Sequence, residues 1–285
     1  MADVLSVVLR ALSFVFLFQA AGTAIFVAIF GRRLPQTLGS IRRGGQAAAL
    51  AAIVLVSGHY ALEAARMAGE LSGMMDPSLQ GIVWNSSSRA AVICRLGGLL
   101  LIVTGLRGTS IQSTTLAVLG AVLVTVAFTV TGHTSVNAHR WGLAGLLVVH
   151  LLIVAFWFGA LVPLYVASSR ETAAQASDVI ERFSAVAFWL VPVILLAGLI
   201  MAAVLLPNLA ALSTPYGRLL IAKVSGFAVL MGLAAANKWR LGPALAREPS
   251  QGGRWFRRSV AAEYVLIATI LTITAVMTSL FSPEA

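Results

Sequence analysis

Four histidines are the residues of this chain best suited to chemistry, and three of them share one stretch, GHTSVNAHRWGLAGLLVVHLLIVAFWFGALVPL, from Gly132 to Leu164. His133 and His139 flank a polar turn, His150 sits deep in an apolar run, and His59 lies in a second apolar run far upstream. Imidazole is the commonest protein ligand for copper and zinc and a frequent axial ligand of haem iron. A polar ring within lipid is costly, which makes each of these a functional candidate. The alternative for any one of them is a histidine that hydrogen-bonds between packed helices.

The elements that must carry these rings follow from composition. Of 285 residues, 59% are hydrophobic and 11% charged, with a mean hydropathy of +0.92; soluble domains carry about a quarter charged residues. Crossing a hydrocarbon core takes roughly 20 helical residues. Apolar runs of that order fall at 4–30, 46–68, 89–106, 113–133, 141–167, 180–206, 216–239 and 257–281. They are too long and too unalternating for barrel strands, and unpaired backbone groups cannot face lipid, so helices are required. The expectation is an all-α, polytopic bundle of eight transmembrane helices, with residues 1–285 forming a single integral membrane domain. The first run, Val4 to Phe30, is too long for a signal-peptide core and reads as a retained helix.

A net charge of +10 would raise the question of nucleic acid in a soluble protein. Here the positions of the cations answer it. The loops after spans one, three, five and seven hold thirteen Lys and Arg residues, and the opposite side holds Arg66, Arg89, Arg140 and Arg218. By the positive-inside rule the thirteen face the cytoplasm and both termini lie outside. The excess charge is a topology signal with a secondary contact to anionic lipid, and no nucleic-acid partner is expected. The lone cysteine excludes an intramolecular disulfide and a CxxC motif.

This topology sets depth. His59 is nine residues from the outer end of span two and His150 nine residues into span five, so each lies about 13 Å below the outer boundary. Two imidazoles at one level on different helices could share a ligand. His133 and His139 sit above them, so all four occupy the outer half. Arg10, Glu63, Arg95 and Lys223 share that half. Glu63 follows His59 by four residues, on the same helical face, and could orient it or ligate metal. Met67, Met74 and Met75 cluster at the outer loop and Cys94 lies in span three; these are the sulfur candidates, suited to Cu(I), with apolar packing as the alternative.

The run HLLIVAFWFGALVPL, from His150 to Leu164, resembles a helix of the copper resistance protein D (CopD) family of bacterial inner-membrane proteins. RFSAVAFWLVPVILLAGLIMA from Arg182, TPYGRLLIAKVSGFAVLMGLAAANKWRLGPAL from Thr214 and FRRSVAAEYVLIATILTITAVMTSL from Phe256 resemble the same family in order and spacing. His150, Trp157, Gly159, Tyr216, Gly217, Lys223, Asn237 and Glu263 match its pattern, the last six non-histidine matches besides Lys223 being read as structural. The first four spans resemble the family in length and topology. The resemblance implies eight helices, copper ions as cargo moved from periplasm to cytoplasm across the lipid bilayer, and a periplasmic copper-binding partner of the CopC type.

Two readings of the site follow. In the first, a copper transporter rather than an enzyme, His133 and His139 capture the ion at the outer mouth and His59 with His150 bind it within the bundle. In the second, a haem b electron carrier or oxidoreductase, His59 and His150 ligate one iron, His133 serves a second, and Arg95 and Lys223 hold propionates.

Overall fold

The computed structural model describes residues 2–131 and 138–282. Among these the chain is helical throughout and contains no strand. In chain order the helices are α1 (Ala2–Phe30), α2 (Leu38–Ala68), α3 (Pro77–Trp84), α4 (Ser87–Gly105), α5 (Ile111–Val126), α6 (Arg140–Arg170), α7 (Ala173–Leu205), α8 (Pro215–Ala236), α9 (Gly242–Arg247) and α10 (Pro249–Leu280). All but α3 contribute to the eight helical segments long and apolar enough to cross a membrane, α8 and most of α9 together making one of them, Pro215–Leu245. A π-helical turn, Asn237–Leu241, joins α8 to α9.

Several helices start before the apolar runs that announce them, whereas α5 ends at Val126, with a 3-10 turn over Ala127–Thr129, short of the expected end at 133. α10 starts at Pro249, so its first turns carry Arg254, Arg257 and Arg258 before the apolar stretch begins. The segment between α2 and α4 is structured: Gly69 ends α2 in the left-handed conformation, with φ of 77°, and a 3-10 turn (Leu71–Met75) leads into α3. Asp76 caps α3, accepting from the amides of Ser78 (2.8 Å) and Leu79 (3.4 Å) with Pro77 in the first turn.

α1 is the centre of the bundle and packs against α2, α4, α5, α6 and α10. Its closest approach is to α6, where Gly22 abuts the Ala155 carbonyl and Gly159. Lipid supplies no hydrophobic drive between helices, so contacts of this kind rely on small residues that let backbones touch. Gly98 and Gly120 repeat the device between α4 and α5. Above the α1–α6 crossing, Phe14, Phe18 and Phe128 pack their rings, with Phe18 and Phe128 stacked at 5.6 Å. α7 and α8 are peripheral: α7 rests on α6 and α9, α8 on α10.

Candidate metal site

His59 projects from α2 toward α1, its Nε2 lying 3.4 Å from the Ser6 hydroxyl. Arg10, Arg95 and Arg66 are the charged groups acting on it. Glu63 acts on Arg10 and Arg95 without pairing directly to either. Arg10 instead donates to the Ser279 hydroxyl (3.2 Å) and the Thr278 carbonyl (3.5 Å), tying α1 to the end of α10. Arg95 stacks its guanidinium 4.6 Å from the Phe128 ring centroid, and its Nε is buried with no hydrogen-bond partner. The start of α1, the later turns of α2 and the start of α4 thus hold one imidazole among two arginines set within candidate membrane spans.

His150 projects the other way. Its Nδ1 lies 3.3 Å from the Ile194 carbonyl on α7, its ring borders Gly198, and its charged neighbour is Lys223 on α8. A carbonyl can only accept, so Nδ1 must carry the proton and Nε2 is left as the free lone pair. Metal-binding histidines use this same arrangement, with the outer nitrogen donating to a backbone carbonyl. No hydrogen bond joins the rings of His59 and His150: the partner of the first is Ser6 of α1 and that of the second Ile194 of α7.

The remaining candidates are dispersed. His133 lies outside the described residues. His139 occupies the N-cap position of α6. Met67 and Met75 are exposed, Met75 to 85%, Met74 is half-buried, and Cys94 is a half-buried free thiol beside Arg95. Among the described residues no three His, Cys, Asp or Glu side chains converge on one point.

A second polar site, on different helices, brings together three residues that sequence reading placed only in order. Glu263 of α10, 3% exposed, accepts at Oε2 from the Trp157 indole of α6 (3.3 Å) and at Oε1 from the Asn237 amide, a short bond. Tyr216 and Gly217 are both buried at the start of α8, where Gly217 lies against the Ala211 carbonyl and Leu212. Gly159 offers its carbonyl to Gln19 Nε2 (3.1 Å) and Thr23 (3.4 Å) of α1. Sequence reading passed over Gln19; the signal available was an amide in the middle of an apolar span.

Eight membrane-competent helices with imidazoles set inside them define a polytopic membrane protein whose polar groups are internal. Comparison with known proteins narrows this. The family model for copper resistance protein D matches residues 177–277, and that for the copper resistance protein D-like N-terminal domain matches residues 1–140. The chain belongs to the copper resistance protein D family, and the likeness reaches the first four spans as well as the second half. Copper resistance protein D of Pseudomonas syringae pv. tomato is 29% identical over 178 residues, 58% of this chain and 57% of the relative. Inner membrane protein YebZ of Escherichia coli (strain K12) is 28% identical over 138 residues, 46% of this chain and 47% of the relative. The chain therefore spans about half the length of the curated relatives it matches. No solved structure matches it. It is a multi-pass protein of the inner membrane.

Proposed function

We propose that this protein carries copper ions from the periplasm into the cytoplasm, with His59 and His150 as ligands in the outer half of the bundle. The observation that carries this reading is the His150–Ile194 contact, which presents a neutral imidazole Nε2 inside a membrane bundle of a copper resistance family. His59 and His150 then act as separate stations with different partners, each binding weakly enough to release the ion, as conduction requires. His133 and His139 form the outer mouth, with Glu63 orienting His59, and Met67, Met74, Met75 and Cys94 are subsidiary sulfur donors. A periplasmic copper-binding protein of the CopC kind is the proposed donor. The topology is both termini outside, by the thirteen-to-four distribution of cations.

With this orientation an entering cation moves down the membrane potential, worth about 2.3 kcal/mol per charge per 100 mV. Proteoliposomes enclosing a copper-responsive dye test the proposal. Uptake should exceed that of protein-free vesicles and should rise when the lumen is made negative. Uptake equal to that of empty vesicles at every potential would reject it.

A further inference from the structure

On the face opposite the histidines, α2 and the α4–α5 connection enclose a pocket of about 330 Å³. Gly39, Arg42, Arg43 and Gln46 line it from the first turns of α2, and Arg107 and Thr109 from the connection after α4. Residues 39, 42, 43 and 46 recur at helical spacing, so one face of α2 is committed to this pocket.

Three arginines in one pocket should repel one another unless anions lie between them. None is provided. No carboxylate lines the pocket, and the ion pairs among the described residues engage Arg33, Arg66 and Arg182 instead. Two acidic groups held near the start of α2 are committed elsewhere: Glu171 accepts from the Thr37 amide and hydroxyl, and Asp178 binds Arg33 and Arg182. Arg42 donates from Nη1 to the Gly108 carbonyl, which fixes its guanidinium in place, while its Nε is buried without any partner. An anchored guanidinium with an unused N–H is half of a bidentate phosphate clamp. Ser110 caps α5 immediately beyond Thr109, so the positive end of that helix dipole points to the same region. The pocket lies at the ends of two candidate membrane spans, the start of α2 and the connection after α4.

From this geometry we infer that the Arg42–Arg43–Arg107 pocket binds a phosphoryl group, supplied by the headgroup of an anionic phospholipid or by free phosphate. The anion offsets part of the positive charge of the three arginines and bridges α2 to the α4–α5 turn. The site is independent of the histidines and of copper.

Native mass spectrometry of the purified protein tests this with two probes, phosphatidylglycerol and inorganic phosphate. At least one should form a 1:1 complex. Arg43→Gln with Arg107→Gln should weaken that complex about tenfold, whereas Arg254→Gln, a cation elsewhere in the chain, should not. Arg42 is left in place because its bond to Gly108 is structural, and an unchanged melting temperature certifies that the double variant is folded. Retention of phosphatidylglycerol against millimolar phosphate identifies a lipid site; displacement identifies a phosphate site. If neither probe binds, or the folded double variant binds as wild type does, the inference is wrong.

Discussion

Asn237 and Glu263 are joined by a short hydrogen bond that links the π-helical turn after α8 to the middle of α10. With the Trp157 indole on the other carboxyl oxygen, it ties three helices together at a buried carboxyl group. Glu263→Leu leaves two buried donors unpaired, at a cost of about 1 kcal/mol for each lost pair in a membrane bundle. Glu263→Gln keeps an acceptor and should cost less. Thermal unfolding in detergent should rank wild type above Glu263→Gln above Glu263→Leu. A double-mutant cycle of Trp157→Phe with Glu263→Leu should show a coupling of at least about 0.5 kcal/mol. Wild-type stability of Glu263→Leu would remove the network's structural role.

Gly22 makes the second prediction. A Cβ there meets the Ala155 carbonyl and Gly159 backbone of α6, atoms that cannot swing aside. Gly22→Ala should therefore push α1 from α6 and destabilise the protein by about 1–3 kcal/mol. Gly232→Ala, where a Cβ meets nothing within 4 Å, should be neutral or slightly stabilising by helix propensity. Equal melting temperatures for the two variants would contradict the close α1–α6 crossing.

Outside the membrane, Asp76 makes α3 sensitive to acid. The Ser78 hydroxyl, then the Ser78 and Leu79 amides, hold its carboxyl below the usual range. A carboxyl lowered in the folded state stabilises fully above its unfolded pKa, and that contribution is lost as pH falls through the folded value. Hydrogen exchange of the α3 amides, corrected for intrinsic rates, should accelerate on acidification through this window. Asp76→Asn keeps a capping oxygen without the titration, so its α3 should respond less. An identical acid response in both proteins would argue that the cap does not hold the helix.

The eight spans were legible because apolar runs of membrane length leave the backbone no alternative to the helix. α3 was not, since eight residues are too few for a periodic signal, although Asp76 followed by Pro77 is a start signal that could have exposed it. The histidines show where such reading stops. Counting residues yields depth, and it put His59 and His150 at one level; it yields no rotation about the helix axis. The contacts themselves, His59 with Ser6 of α1 and His150 with Ile194 of α7, depend on that rotation. Likewise family order flagged Trp157, Asn237 and Glu263 singly, while their convergence depends on how α6, α8 and α10 cross.

The central claim is that His59 and His150 bind copper. Competitive titration of the purified protein with copper, against a chromophoric chelator, measures this for wild type, each single alanine variant and the His59→Ala, His150→Ala double variant. Because the two rings have separate partners, each single variant should lose part of the copper bound, and the folded double variant should lose nearly all that the bundle holds. Unchanged copper stoichiometry in the double variant, with its helical content and melting temperature preserved, would contradict the account.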